Sequence, residues 1–513
     1  MKKLPIGIQT FRDIIEENCY YVDKTEAAFK LADRGRYYFL SRPRRFGKSL
    51  FLDTLAEMFE CNKSLFEGLW VYDKWDWEDP HPVIRISFGS GDFSGRDKIK
   101  NKILFLIKNN TKQLSLDYVI DDTLDFNGNF ISMIQSVYEK YGKKVVILID
   151  EYDKPILDNI TDRDTALDGR EILRTFYSAI KDCDRYIRFV FITGVSKFSK
   201  MNLFSGLNNL EDITIKKDYA EITGYTHADI LRVFKERLEG VDLEMVKRWY
   251  NGYNYLGEDI YNPFDILLFL SNDCVFKNYW WGTGNPGFLI EKLKTEDYYL
   301  PDLENISVGE ETLNTFDIDK IDLTALLWQT GYLTFDKRIF LGGRVRYKMK
   351  IPNLEIMSSL NSLFFDYLTN LNGSKESKEI ALTEALLESD FSKSRDILKS
   401  FFASIPYTNY ANNIISGYEG YYASVVFTLL ASQGFEVIAE DTTNRGRIDM
   451  TLKFPESIVI IEFKVDIKES PINQIKERKY YEKYASDTRD IYLVGMCFDS
   501  NERNISEFIW EKL

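Results

Sequence analysis

Ser41-Arg-Pro-Arg-Arg-Phe-Gly-Lys-Ser49 follows an apolar run, Tyr37 to Leu40, and precedes a stretch of helical spacing, Leu50 to Phe59. A strand that ends in a tight turn and feeds a helix aims backbone N–H groups at an anion, which is the context a phosphate-binding loop requires. Lys48 is placed to reach the β- and γ-phosphates, and the Ser49 hydroxyl to ligate Mg²⁺. The GxxxxGK[ST] pattern asks for glycine at position 42, where this chain has Arg42. The turn must therefore begin without a residue free to take positive φ.

A second segment, Lys143-Lys-Val-Val-Ile-Leu-Ile-Asp-Glu-Tyr-Asp153, gives that loop its weight. Val145 to Ile149 is apolar, β-branched and of strand length, as a parallel strand buried on both faces must be. Ligands of open α/β sheets bind at the carboxyl ends of strands, so Asp150 is placed to hold Mg²⁺ and Glu151 to polarise an attacking water. The alternative is that this acidic pair caps the next helix. A third strand, Tyr186 to Ile192, ends in Thr193-Gly194, followed by Ser196 and Lys197. The Thr193 hydroxyl is a candidate γ-phosphate contact, with plain turn chemistry as the alternative.

The chain has 513 residues, 44% of them hydrophobic and 15% aromatic, which favours about three domains with ample surface to bury. Met1-Lys-Lys-Leu-Pro lacks the apolar core of a signal peptide, and no long run is free of polar residues, so a soluble cytoplasmic protein without a membrane is expected. Five scattered cysteines without a CxxC pair argue against structural zinc and disulfides. With two histidines, His81 and His227, catalysis must run on carboxylates, lysine and Mg²⁺-like ions. A net charge of −14 opposes indiscriminate attraction to nucleic acid, though a local basic groove is compatible with it.

From about residue 36 to 200 strands alternate with helical stretches: Val83 to Phe88 is a further strand, and Asp97 to Asn109 and Ile131 to Tyr141 have helical spacing. Beyond Ser205 the pattern is mainly helical, with segments at Thr226 to Leu238, Met245 to Tyr250 and Asn262 to Leu270. Leu323 to Gly331 followed by a hairpin around Gly342-Gly343 predicts a winged-helix-like element, or an ordinary helix and hairpin. Glu376 to Pro406 is a charged helical connection. The expected domains are 1–215, a phosphate-loop sheet; 216–375, a helical lid with the winged element; and 376–513, a second α/β domain.

That last domain reads as a helix, Glu419 to Ser432, then strands Phe435 to Ala439, Ile448 to Lys453 and Ile458 to Val465, a polar helix Ile472 to Tyr484 and a strand Ile491 to Met496. Glu462 and Lys464 sit in the apolar run Ile458-Val-Ile-Ile-Glu-Phe-Lys-Val465 and share one face, with Phe463 on the other. Burying these charges is costly unless they are paired or hold a metal. A hairpin of the second and third strands would bring Asp449, expected at the second strand's start, beside Glu462, making a two-carboxylate site for Mg²⁺ or Mn²⁺. Lys464 could then hold hydroxide or neutralise a phosphate, and Glu419 could reach in as an outer ligand. A cross-strand salt bridge is the alternative. Gln474 and Tyr481, seven residues apart on one helix face, could orient Lys464 or a phosphate, or be surface residues.

Tyr21-Val-Asp-Lys-Thr25, the loop Arg42 to Ser49, Ile149-Asp-Glu-Tyr-Asp153, Ile192-Thr-Gly194, Phe204-Ser-Gly-Leu-Asn-Asn-Leu210, Tyr261-Asn-Pro-Phe264, Gly331-Tyr-Leu-Thr334, Glu419-Gly-Tyr-Tyr422, Gly446-Arg-Ile-Asp449, Ile461-Glu-Phe-Lys464 and Gln474-Ile-Lys-Glu-Arg-Lys-Tyr480 together resemble a bacterial and archaeal family. That family joins an AAA-ATPase-like domain to a C-terminal PD-(D/E)XK nuclease-superfamily domain. The resemblance implies an α/β P-loop NTPase fold with an AAA-like parallel sheet, and a nuclease-like α/β domain whose carboxylates are Asp449 and Glu462, with Lys464 the catalytic lysine and Glu419 the helix acid. The family's own phosphate loop resembles this one, Arg42 included. Where it often has histidine after the tyrosine pair, this chain has Ala423.

The nucleotide-binding candidates are Arg44, Arg45, Phe46, Gly47, Lys48, Ser49, Leu50, Asp150 and Thr193, with Arg42 a further phosphate contact and Glu151 the general base. Ser49 and Asp150 would hold Mg²⁺ there, and Asp449 and Glu462 Mg²⁺ or Mn²⁺ at the second centre. Three functions are open: an ATP-binding, ATP-hydrolysing chain whose nucleotide state regulates a nuclease; a nucleotide-switched module binding nucleic acid or protein with an inactive nuclease fold; and an ATPase with a structural C-terminal domain. The expected partners are ATP and nucleic acid, DNA foremost, with self-assembly into an oligomer left open.

Overall fold

Strand-length runs without an exposed position, Tyr37–Ser41 (β1) and Val145–Asp150 (β3), form the middle of a parallel sheet as their composition requires. The computed structural model describes residues 1–197, 203–204, 207, 209–280, 306–313, 316–318, 320–369, 376–405, 419–466 and 470–513. Ser205, Gly206 and Asn208 of the quoted Phe204 to Leu210 stretch, Pro406 and the Glu419 side chain lie outside them. Among the described residues the chain makes two compact units that change over between Asn353 and Leu354.

In the first unit β1 and β3 join β2 (Val83–Ser87), β4 (Ile187–Gly194) and β5 (Glu211–Asp212) in the order β2-β3-β4-β1-β5, every pairing parallel. Helices Lys48–Phe59, Arg96–Gln113, Phe126–Tyr141 and Arg163–Asp182 fill the crossovers. Leu40, Leu148 and Phe191 pack with Phe51, Leu55 and Phe59 on one face. Phe39 meets Tyr152 and Phe204 on the other. The carboxyl ends of β1, β4 and β3 thus lie side by side, with Ser41 opposite Gly194.

The helical stretch after β5 nucleates on sequence-encoded caps. Thr226 and Asp229 form a reciprocal capping box, and Asn262 caps Pro263–Ser271, whose proline needs no N–H at the first turn. The first of these helices stops at Val233 and tightens into a 3₁₀ turn, short of the expected Leu238. Strands β6 (Tyr225–Thr226) and β7 (Ile260–Tyr261) pair beside it. Then follow β8 (Ser307–Val308), the β9 (Phe316–Asp317) and β10 (Lys320–Ile321) pair, helix Leu323–Thr330 and the ribbon β11 (Thr334–Leu341) and β12 (Arg344–Lys350), in a sheet ordered β11-β12-β8.

The second unit packs helices Leu354–Thr369, Phe391–Ser404 and Glu419–Ser432 on a five-stranded sheet, β13 (Glu436–Thr443), β14 (Gly446–Lys453), β15 (Ser457–Val465), β16 (Asp490–Asp499) and β17 (Asn504–Lys512), ordered as numbered. Only β15 and β16 run parallel. Two expectations are corrected here. The helix expected over Ile472 to Tyr484 is Pro471–Arg478; Lys479, at φ 50°, breaks it, and a 3₁₀ turn follows that sinks Tyr480 and Tyr484 against Ile448 and Ile460. And β17 is an unanticipated edge strand, whose charged residues Glu507, Glu511 and Lys512 mask its apolar positions.

Candidate nucleotide and metal sites

Arg45 (φ 68°) and Gly47 (φ 82°) turn the chain from β1 into helix Lys48–Phe59. The left-handed turn that lacks a glycine at position 42 is thus made three residues later, by Arg45. A Cβ on Gly47 would meet nothing within 4 Å, so the space before the helix N-terminus is open. Lys48 is buried and folds back, donating to Arg42 O (3.0 Å) and Pro43 O (2.8 Å). Burial lowers its pKa against the opposing fields of Asp150, Asp153 and Glu151. Across the sheet the Ser49 hydroxyl donates to Asp150 Oδ2 at 2.6 Å. These two oxygens are hard donors side by side, and they fit Mg²⁺ beside a triphosphate.

Arg42 does not reach the loop's open side, contrary to its expected phosphate contact. It is 1% exposed, donates to the carbonyls of Ser41 (3.0 Å), Thr214 (2.6 Å) and Tyr219 (3.3 Å), and lies 3.6 Å over the Tyr255 ring. Burial pulls its pKa down to about 10. An arginine therefore does here what glycine cannot: it fastens the start of the loop to the segments around Tyr219 and Tyr255. Phe46 is likewise buried, edge-on to Tyr253 at 4.8 Å, and contributes packing. Arg44 and Arg45 are exposed, with Arg45 4.7 Å over Phe264.

At the end of β3, Glu151 is held at φ 50°, a conformation that a non-glycine residue adopts at a cost. Asp153 is 1% exposed and accepts from Val195 N (3.0 Å) and Ser196 N (2.5 Å), tying β3's end to β4's. Burial raises its carboxyl to about 6. Gly194 is glycine by necessity, since a Cβ there would sit 2.4 Å from Asp153 Oδ1. Thr193 lies inside β4 and its hydroxyl donates to Leu40 O (2.9 Å), a sheet contact in place of the expected free tip. Lys197 is paired with Asp212 at 2.8 Å. Arg44, Arg45, Gly47, Lys48, Ser49, Leu50, Glu151 and Asp153 line one cleft of about 390 Å³, closed by Pro5, Ile8, Tyr225, Phe264 and Leu267. Of these apolar wall residues only Phe264 lies in one of the family-like stretches quoted above, Tyr261-Asn-Pro-Phe264; Pro5, Ile8, Tyr225 and Leu267 carry no local motif that could have flagged them.

In the second unit, β14 and β15 pair antiparallel as far as Met450 and Ile461, so Asp449 and Glu462 are the next positions on facing strands. Asp449 is the fourth residue of β14, which begins two residues before the expected Ile448. Its Oδ2 accepts from Phe463 N at 2.8 Å, fixing the carboxylate over the strand. Glu462 is 1% exposed, Lys464 Nζ stands 3.9 Å from its Oε1, and Phe463 is buried on the opposite face. Gln474, on helix Pro471–Arg478, donates to Glu462 Oε1 and so belongs to the site, whereas Tyr481 falls on the 3₁₀ turn, off that helix face. No group of three or more His, Cys, Asp and Glu stands in ligand geometry among the described residues. Mg²⁺ characteristically takes one or two carboxylates and keeps its waters, so Asp449 and Glu462 fit it. A neighbouring buried carboxylate, Asp441, is consumed by Thr451, Lys483 and Tyr484 and is structural.

No helix among the described residues is long and apolar enough to cross a membrane. Residues 5–204 match the family described as "Predicted AAA-ATPase", and residues 417–508 the "PD-(D/E)XK nuclease superfamily". A protein of Azotobacter chroococcum mcd 1, described as "Uncharacterized protein in vnfD 5'region", is 44% identical over 518 residues, covering 100% of this chain and 99% of its own. No solved structure matches. A five-stranded parallel sheet carrying the Lys48 loop, a mixed sheet carrying Asp449, Glu462 and Lys464, and these matches agree: the chain belongs to the family that joins an AAA-ATPase-like domain to a PD-(D/E)XK nuclease-superfamily domain.

Proposed function

We propose that this chain is a metal-dependent nuclease whose phosphodiester cleavage, at Asp449, Glu462 and Lys464, is regulated by ATP bound at Lys48. The observation that carries it is the placing of Asp449 and Glu462 on facing strand positions with Lys464 3.9 Å from the buried glutamate. Asp449 and Glu462 would hold Mg²⁺ or Mn²⁺, which supplies an activated water and offsets charge on the phosphate. Gln474 keeps Glu462 oriented, and Lys464 neutralises the developing negative charge. Glu419 is the proposed outer acid from the preceding helix.

In the first unit, Lys48 would exchange the Arg42 and Pro43 carbonyls for phosphate oxygens, with Arg44 and Arg45 at the mouth of the cleft. Ser49 and Asp150 would hold Mg²⁺, and Glu151 would orient the attacking water. Because Arg42 also grips Tyr219 O and stacks on Tyr255, release of Lys48 gives bound nucleotide a route to that helical region.

The test is cleavage of DNA and RNA, single- and double-stranded, by the full chain with Mg²⁺ or Mn²⁺, with and without ATP. Metal-dependent cleavage that changes with ATP and disappears in Glu462→Gln is the expected result. Nucleic acid bound but never cut in either metal would assign the alternative, a nucleotide-switched binding module.

A further inference from the structure

Thr334–Lys350 is a basic stretch in a chain whose net charge is −14: it holds six lysines and arginines and one acid. Gly342 (φ 58°) and Gly343 (φ 77°) form the two-residue turn that both-positive φ angles allow, so β11 and β12 pair out to Leu341 and Arg344. Cross-strand partners share a face. One face therefore carries Lys337 opposite Lys348, Ile339 opposite Arg346 and Leu341 opposite Arg344. None of Lys337, Arg338, Arg344, Arg346 and Lys348 is in an ion pair with another described residue.

Folding alone gives a poor account of this face. Like charges set directly opposite one another destabilise a ribbon. Lysines on the edge strand β11 would guard against unwanted strand pairing, yet the same strand ends in Phe340 and Leu341, 74% and 70% exposed, which undoes that protection. Both features make sense once a polyanion whose groove floor presents thymine methyl groups among its base edges lies on the ribbon.

We infer that the β11–β12 ribbon is a docking surface for double-stranded DNA, its tip entering the groove so that Lys337, Arg344 and Arg346 on one face and Arg338 on the other meet the phosphates of the two groove walls, with Phe340 and Leu341, one from each face, at the groove floor. The adjacent helix is excluded from that role, because Leu323 through Gln329 are all buried. A two-stranded ribbon enters the B-form major groove, roughly 12 Å wide, whereas the A-form RNA major groove is too narrow for it. The surface does not depend on the chemistry at Glu462, but it deepens the proposed function by naming how the substrate class is held.

The experiment is fluorescence-anisotropy titration of labelled duplex DNA, duplex RNA and single-stranded DNA with the full chain in EDTA, at several salt concentrations, alongside co-sedimentation with anionic lipid vesicles. Arg344→Ala with Arg346→Ala should weaken duplex DNA binding at least roughly tenfold and flatten the slope of log K against log salt by about two. Phe340→Ala should weaken it by about tenfold at an unchanged slope. Arg338→Glu, which leaves the turn and apolar tip intact, provides an independent charge test should the double variant misfold. Unchanged affinity in all of these, no duplex binding by the parent, preference for vesicles, or a changed oligomeric state in Phe340→Ala would each overturn the assignment. Cleavage assayed separately keeps the two proposals apart: loss of cleavage in Glu462→Gln with DNA affinity indifferent to the ribbon sinks only the ribbon, while ribbon-dependent binding without cleavage sinks only the nuclease.

Discussion

The two lysines at the centre of this protein sit in opposite company. Lys48 rests on backbone carbonyls five and six residues before it, neutral acceptors that a triphosphate can replace. Lys464 rests beside a buried carboxylate that a divalent cation can share. The first site is assembled by one continuous loop and is proposed to take an anion; the second is assembled by facing strands and a helix and is proposed to take a cation. The difference teaches that the sign of the ligand is set by what holds the lysine, not by the lysine itself.

Breaking the second site should have the largest effect. Glu462→Gln is expected to lower cleavage by about a thousandfold while ATP affinity is unchanged, measured by initial rates and nucleotide titration. A parallel loss of ATP affinity would show that the sites are not separately built. Next comes Arg42→Gly, which restores the glycine of the motif and yet should destabilise the first unit by about 3 kcal/mol, because three buried carbonyls lose their donor. Chemical denaturation reads this, and a gain in stability would mean that the motif, not the arginine, is the native requirement.

Lys48→Ala sharpens the contrast further: ATP affinity should fall tenfold to roughly a hundredfold, with Mn²⁺ binding at Asp449 and Glu462 untouched. The smallest effect is at Asp153. Its carboxyl is raised from 3.8 to about 6, so the folded state holds its proton longer than the unfolded chain does. Stability from that proton is complete below about pH 4 and is lost as pH rises through about 6. Asp153→Asn should flatten that part of the stability–pH curve, and a curve of unchanged slope would assign it to another group.

What was legible in the sequence was what local pattern controls. The strands at Tyr37, Val83, Val145 and Ile187, the caps at Thr226 and Asn262, and the register that sets Asp449 against Glu462 follow from periodicity and residue type. What was not legible depends on distant partners. Arg42 reads as a basic loop residue until Thr214, Tyr219 and Tyr255 surround it. Thr193 reads as a γ-phosphate contact until Leu40 O accepts its hydroxyl's hydrogen bond. Gln474 reads as surface until the helix carrying it crosses β15, and β17 goes unread until β16 offers it an edge.

Calorimetric titration of Mn²⁺ into the nucleotide-free full chain carrying Ser49→Ala tests the central claim most directly, because it removes a proposed metal donor from the loop and leaves the second centre whole. Binding that persists there and vanishes when Glu462→Gln is added is the predicted result; an isotherm that Glu462→Gln leaves unchanged would contradict a cation shared by Asp449 and Glu462.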